Sequence, residues 1–220
     1  MAPALTISKQ VIRMKLKRAF GLVFLLALFF ALWVNAMDAE AAAALPGQVL
    51  RLRVVARSDG EADQADKLLV RDTVLAELSP RLEGCADLRE AEARTEAALP
   101  ALAAAAGEAL RKAGRSVPLT LRLGRETCPL RAYETFALPA GAYESLTVTL
   151  GEGCGKNWWC VVFPPLCLGA AGDGSSGESL SVFSPEEAKL ITAGDRVIRF
   201  RALELWEKLQ AAFSQGKGNR

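Results

Sequence analysis

The segment VLRLRVVARSDGEADQADKLLVRDTVL, residues 49–75, predicts the strand and the helix on which the rest of the fold is built. Hydrophobic residues alternate with arginines over residues 50–54, and this period of two is typical of a β-strand. Ser58 stands three residues before Glu61, which is the spacing of a capping box that opens a helix. We expect the helix to end just before Pro80, because proline interrupts helices.

A second helix is predicted to begin at Asp87, which stands three residues before Glu90. The alanine-rich segment that follows reaches Gly114, and glycine is common at the C-terminal end of a helix. Pro100 lies inside this segment, so we expect either a kink or two consecutive helices.

Three further strands are predicted at residues 117–123, 146–150 and 158–163. Pro118 favours an edge position for the first of these strands. Two more helices are predicted, a short one that begins at residues 184–187 and a last one at residues 197–213. The order β-α-α-β-β-β-α-α predicts a small α+β domain, with a mostly antiparallel sheet of about four strands packed with helices.

The N-terminal part of the chain predicts export from the cytoplasm. Five basic residues precede a predominantly apolar run at residues 19–37, which is the pattern of a signal peptide. The run also approaches the roughly 20 residues of a membrane-spanning helix, so a cleaved signal peptide and a retained membrane anchor both stay open. We therefore expect a signal peptide or anchor, a spacer, a single extracytoplasmic signalling domain and a disordered tail at residues 1–37, 38–48, 49–213 and 214–220.

The charge distribution argues against nucleic acid as a partner. The whole chain has a net charge of +2, and residues 1–36 contribute five positive charges and no negative ones, which leaves −3 for the exported part. Nucleic-acid binding depends on neutralising phosphates with basic side chains. A slightly acidic domain is therefore a poor candidate for that function.

The composition also excludes several kinds of chemical site. The chain has no histidine, which removes Ser-His-Asp and Cys-His catalytic arrangements and the histidine-containing zinc sites. GEGCGK, residues 151–156, lacks the glycine spacing and the Ser or Thr after lysine that a phosphate-binding loop needs. Three nearby cysteines are six and seven residues apart, wider than usual zinc-ligand pairs. We predict no catalytic, cofactor-binding or metal-binding residues.

The segment GEGCGKNWWCVVFPPLCL, residues 151–168, is the candidate partner-binding region. Adjacent tryptophans on a strand point to opposite faces of the sheet. Either both faces are covered, or one indole belongs to an exposed apolar patch that binds a partner. The candidate partner-binding residues are Lys156, Asn157, Trp158, Trp159, Phe163, Pro164 and Pro165.

All five cysteines lie in the predicted exported part, where disulfides are permitted. The two prolines between Cys160 and Cys167 would fold the chain so that these two residues approach bonding distance, which makes them the candidate disulfide. Two buried thiols are about as well supported, because cysteine behaves as a small apolar residue.

Three segments resemble the stage II sporulation protein R family of endospore-forming bacteria, over roughly residues 50–210. They are LPAGAYESLTVTLGEGCGKNWWCVVFPPLCL at residues 138–168, RLRVVARSDGEADQADKLLVRDTVL at residues 51–75 and RVIRFRALELWEKL at residues 196–209. The chain departs from the family pattern at Arg53, Arg57 and Cys154, where the family usually has histidine, asparagine and a lysine-like residue.

The resemblance implies a signalling protein, not an enzyme. Family members are exported from the forespore into the space between the two membranes, where they activate a membrane-embedded aspartic protease that processes pro-sigma-E in the mother cell. Two alternatives stay open from the residues alone: a cell-wall hydrolase that uses carboxylates such as Asp59 or Asp72, and a structural protein of the envelope.

Overall fold

The computed structural model describes residues 21–23, 25–26, 29, 39–133, 136–166, 182–192, 200–201 and 205. The chain divides into two units, Met1–Glu40 and Ala41–Arg220. Across these described residues no helix is both long enough and apolar enough to cross a bilayer. Most of the predicted signal or anchor segment, most of the predicted last helix, and the tail at residues 214–220 lie outside the described residues.

The described part of the chain contains six strands, and four of them form one sheet. The strands are β1 (Leu50–Val55), β2 (Leu119–Cys128), β3 (Arg131–Ala132), β4 (Ala137–Leu138), β5 (Gly141–Leu150) and β6 (Asn157–Phe163). The spatial order in the larger sheet is β2-β5-β1-β6, and β3 pairs with β4 in a short hairpin that the sequence did not predict. The edge position predicted for β2 is confirmed.

The sheet is mixed, so it is not antiparallel throughout. β2 with β5 and β1 with β6 are antiparallel, as expected for most of the sheet, but the central pair β1 and β5 is parallel. The long helical connection after β1 carries the chain to the far edge, where it forms β2. β5 lies between β2 and β1. It runs antiparallel to β2 and therefore in the same direction as β1, because β2 and β1 run in opposite directions.

The helices whose bounds are described are α1 (Glu61–Leu82), α2 (Leu88–Lys112) and α3 (Pro185–Thr192); residues 39–44 are also helical and lead into a 3₁₀ turn at Leu45–Gln48. The predicted caps at Asp87 and Ser184 are confirmed, since each side chain accepts a hydrogen bond from an amide three residues later. Gly114 also ends α2 as predicted, with a φ of +71° and the amide of Arg115 bonded to the carbonyl of Leu110.

Two expectations about helix α1 are wrong, and one of the two alternatives for helix α2 is excluded. Gly60, not Ser58, is the N-cap of α1, because the Ser58 hydroxyl is bound to Asp63 instead. Pro80 does not end α1 but lies in its last turn, and the helix continues to Leu82, which is buried in the core. Pro100 does not divide α2, which is one helix of 25 residues.

The hydrophobic core lies between one face of the sheet and the helices α1 and α2. Side chains at helical spacing on both helices, among them Val70, Val74 and Leu102, are fully buried against alternate residues of the central strands such as Leu52 and Leu146. Truncating such a leucine to alanine costs about 2–5 kcal/mol. The opposite side of the sheet, which we call the second face, carries the other alternate residues of the same strands.

Candidate functional site

Two sequence segments that are distant in the chain meet at the end of the sheet where β1 leads into α1. One is residues 56–67, which includes the loop after β1 and the first turns of α1; the other is residues 151–158, which includes the turn between β5 and β6. We call these two segments together the junction. Both belong to the stretches that carry the family resemblance, so two of the three resembling segments meet at one place in the structure.

Three amides of the turn hold the junction together. Cys154 and Gly155 donate to the main-chain carbonyls of Arg57 and Ala56, at 3.2 and 2.9 Å. The amide of Lys156 donates to a carboxylate oxygen of Asp59 at 2.7 Å. These contacts continue the pairing of β6 with β1 beyond the strands themselves, and they give Asp59 a structural role.

The close approach of the two segments requires glycine at position 155. A Cβ atom on Gly155 would lie 2.5 Å from the carbonyl carbon of Ser58 and 2.9 Å from its Cα, whereas carbon atoms in contact are normally about 3.5–4.0 Å apart. Gly151 and Gly153 contribute differently, because their φ angles of +55° and +63° suit glycine. The glycine-rich turn is therefore explained by backbone geometry.

A charged network lies within the junction. The hydroxyl of Ser58 donates to Asp63 at 2.5 Å, and the guanidinium of Arg57 lies 2.9 Å from the same carboxylate. These two partners hold the pKa of Asp63 below its ordinary value, with the serine hydrogen bond as the larger cause. Because this network involves the first turn of α1, it fixes the start of that helix against the loop.

Lys67 connects the network to the turn. Its ammonium donates to Gln64 at 2.6 Å and to the main-chain carbonyl of Lys156 at 3.4 Å, and the residue is only 7% exposed. Burial lowers the pKa of Lys67, and the positive charge of Arg71 lowers it further. A nearly buried lysine that bonds the turn is a contact the sequence did not predict.

Part of the predicted partner-binding set shares one surface at the junction. Lys156 and Asn157 are exposed, and Trp158 is half-buried against the core. The guanidinium of Arg71 lies 5.1 Å from the centre of the Trp158 ring, and Leu68, one turn earlier on α1, is 40% exposed. We call these five residues the junction surface. It combines an aromatic ring, an exposed leucine and two positive charges.

The other predicted partner-binding residues lie elsewhere. Trp159 is half-buried on the second face, as the alternation of side chains along a strand requires. Phe163 and Pro164 are buried, and Pro165 is exposed beyond the end of β6. Trp158 and Phe163 therefore do not form one continuous exposed apolar patch.

The candidate disulfide is only half described. Cys160 is fully buried on the core side of β6, opposite Leu52 of β1, and Cys167 lies outside the described residues. The pairing of these two cysteines stays a prediction. Cys85, Cys128 and Cys154 are free thiols, and burial raises the pKa of Cys128.

The arrangement of arginines around Trp159 was missed by the sequence reasoning. The guanidinium carbons of Arg51, Arg53 and Arg131 lie 4.9, 5.1 and 5.7 Å from the centre of a Trp159 ring. Arg51 is fully buried, although alternation with leucine predicts a solvent-facing side chain. The adjacent tryptophan pair was the available signal, because one indole had to share a sheet face with the arginines of β1.

The carboxylates considered for catalysis do not form a pair with each other. Asp59 accepts the amide of Lys156, and Asp72 is a largely exposed residue bound to Arg71 at 2.7 Å. Within the described residues no group of three or more His, Cys, Asp or Glu residues is arranged to hold a metal ion.

Comparison with known proteins agrees with the family resemblance. The family model of stage II sporulation protein R matches residues 46–172. Stage II sporulation protein R of Bacillus subtilis (strain 168) is 36% identical over 144 residues, which cover 66% of this chain and 63% of that relative. No solved structure matches the chain significantly. The similarity supports a role in sporulation, and the matched length shows that the chain belongs to the stage II sporulation protein R family.

Proposed function

We propose that this chain is an exported signal of sporulation, made in the forespore and delivered to the space between the forespore and mother-cell membranes. There it activates the membrane-embedded aspartic protease that processes pro-sigma-E in the mother cell. It acts by binding and performs no bond-breaking step itself. The observation that carries the proposal is the family match over residues 46–172.

Export follows from the N-terminal sequence in this proposal. Five basic residues and the apolar run at residues 19–37 direct the chain across the forespore membrane. The domain then reports the state of one cell to the other, whether the leader is cleaved or stays as an anchor. In this proposal the signal crosses the forespore membrane and its receptor lies in the mother-cell membrane.

The junction surface is the docking surface in this proposal. Trp158 offers a large aromatic area beside Arg71, and tryptophan and arginine are the residues most enriched among those that dominate binding energy. Lys156 and Asn157 are exposed at the rim. The charged network of the junction holds the main chain in place, so little conformational entropy is lost on binding. Activation requires that the surface bind the active state of the protease more tightly than the inactive state.

The test is processing of pro-sigma-E in vegetative cells that co-express this chain, the protease and its substrate. Lys156→Glu reverses an exposed charge at the junction surface and leaves the core untouched, so we expect it to reduce processing strongly. Arg89→Glu reverses a charge on the exposed first turn of α2 and should process normally. Trp158→Ala should also block processing, since losing a dominant contact weakens binding roughly 30-fold or more.

Folding and export must be measured in the same cells, because Trp158 also packs against the core. Resistance of the domain to added protease reports folding, and release or surface exposure reports export. A chain without residues 1–37 should stay in the cytoplasm and give no processing. Normal processing by folded, exported Lys156→Glu and Trp158→Ala variants would refute docking through the junction surface.

A further inference from the structure

Within the described residues, every buried side-chain nitrogen or oxygen without a hydrogen-bond partner lies on the second face of the sheet. These atoms are Nε and Nη1 of Arg51, Nε of Arg53, Oγ1 of Thr147 and Nε1 of Trp159. The strand register explains their proximity, because Arg53 of β1 pairs with Thr147 of β5 on one side and with Trp159 of β6 on the other. Five such atoms in four neighbouring residues form one group of hydrogen-bond donors.

Within this group, the guanidinium of Arg51 carries a positive charge that no described carboxylate neutralises. The Arg51 guanidinium is fully buried between the rings of Tyr143 and Trp159, 4.9 Å from each centre. Its single hydrogen bond among the described residues goes from Nη2 to the hydroxyl of Tyr133 at 3.4 Å, and no described carboxylate forms an ion pair with it. Cation–π contacts offset part of the desolvation cost, but a buried charge is normally paired.

A cleft opens on the same face and shares two residues with the donor group. Its volume is about 260 Å³, and Arg53 and Thr147 line it together with Arg122, Glu126 and Glu152. Glu126 already accepts a hydrogen bond from Nη1 of Arg53 at 3.3 Å, and Nε of Arg53 is a buried donor without a partner. The cleft is smaller than a typical drug-sized ligand pocket, so it suits a short chemical group.

We propose that the second face binds a carboxylate at the cleft, where it accepts hydrogen bonds from Arg53 and Thr147, beside the Trp159 indole that neighbours Arg53 in the strand register. Arg51 lies two positions along β1, about 6–7 Å away, and adds an attractive positive field. An anion is the ligand that satisfies guanidinium and hydroxyl donors together. A single negative charge suits the site better than the double charge of phosphate, because Glu126 and Glu152 also line the cleft.

The carboxylate can come from the free C terminus of a peptide or from an acidic side chain. The two sources offer the same planar oxygens to the same donors, and the test separates them. The site is on the opposite face from Trp158 and does not depend on docking through the junction surface. Success or failure here therefore says nothing about the proposed activation of the protease.

The experiment uses the full chain in detergent micelles with ¹⁵N-labelled tryptophan. The probes are N-acetyl-tetra-alanine with a free carboxylate, the same peptide as its C-terminal amide, N-acetyl-Ala-Glu-Ala-amide and inorganic phosphate. The Nε1–H resonance of Trp159, identified with Trp159→Phe, should shift on titration with a carboxylate. The carboxylate peptide should bind about tenfold or more tightly than its amide, as expected for hydrogen bonds to a charged group.

Two variants connect binding to the named donors. Thr147→Val removes the hydroxyl at nearly constant side-chain shape. Since the hydroxyl has no partner, the free energy of unfolding measured without any probe should be unchanged or higher. Carboxylate binding should become severalfold weaker. Arg53→Gln should weaken binding about tenfold or more. Arg125→Gln is the matched control, because Arg125 pairs with Glu144 on the core side of the same sheet, and it should bind normally.

The binding results distinguish the two sources of the carboxylate. Binding of only the free-carboxylate peptide identifies a C terminus as the ligand, and binding of the glutamate peptide identifies a side chain. The proposal is overturned if no carboxylate shifts Trp159, if the amide or phosphate binds as tightly as the carboxylates, or if Arg125→Gln weakens binding as much as Arg53→Gln. A large loss of stability in Thr147→Val would also contradict it, since the hydroxyl would then have a structural partner.

Discussion

Replacing Gly155 with alanine tests whether the two segments of the junction must touch. The added Cβ would lie 2.5 Å from the carbonyl carbon of Ser58, so the turn must move by about 1 Å to reach an ordinary contact distance. Because the atoms it meets belong to main chain, no side-chain rotation can relieve the contact. The φ angle of Gly155 is not in the positive range, so only this contact separates alanine from glycine.

The expected loss of unfolding free energy follows from the hydrogen bonds that such a movement breaks. The amides of residues 154–156 donate across the junction at 3.2, 2.9 and 2.7 Å, and lengthening by about 1 Å removes useful hydrogen-bond geometry. Each bond contributes about 1 kcal/mol, and residual overpacking costs about 1–3 kcal/mol. Since partial relaxation makes these contributions less than additive, we expect the free energy of unfolding to fall by about 2–4 kcal/mol.

Urea unfolding of the full chain in detergent measures the free energy, and amide hydrogen exchange at residues 154–156 measures the local effect. Gly107→Ala is the matched control. Gly107 lies inside α2, and a Cβ there would meet nothing closer than 3.8 Å. Alanine should stabilise that helix by about 0.5–1 kcal/mol.

The two glycine replacements should therefore change stability in opposite directions. If Gly155→Ala unfolds within about 0.5 kcal/mol of the unchanged chain, and its amides at residues 154–156 exchange at the original rate, the close contact does not exist. The description of the junction would then be wrong. A loss of protection confined to those amides would support the contact and show that the junction opens locally.

Two further predictions concern groups that fix helix starts. The pKa of Asp63 is lowered in the folded state, so its contribution to the free energy of unfolding is fully present above the unfolded pKa of about 3.9 and is lost as pH falls through the lower folded pKa. Ser58→Ala should raise the pKa of Asp63, measured by a carboxyl NMR titration. An unchanged pKa would contradict the hydrogen bond from Ser58 as the main cause. Asp87→Ala removes the N-cap hydrogen bond to Glu90 and should cost about 1 kcal/mol of unfolding free energy, measured by urea unfolding, whereas Asp87→Asn keeps an acceptor and should cost less.

Local sequence determined the elements. Alternation in β1, the caps at Asp87 and Ser184 and the glycine at position 114 depend on neighbouring residues only, and each appears where it was predicted. β5 was predicted only at residues 146–150, and it begins earlier, at Gly141. The family was also evident from sequence, because long motifs such as NWWC followed by FPPLC are read directly from the chain. Local sequence also predicted that Ser58 would cap α1, but its hydroxyl donates a hydrogen bond to Asp63 instead.

Only the tertiary structure decided what the tryptophans and arginines contact. Strand alternation placed Trp158 and Trp159 on opposite faces, but the neighbours of each ring come from distant segments: Arg71 of α1 for one, and Arg51, Arg53 and Arg131 for the other. The parallel pairing of β1 with β5, the burial of Arg51 and the contact of Gly155 with Ser58 arise in the same way. Local patterns encode the direction of a side chain, whereas strand order and register determine what it meets.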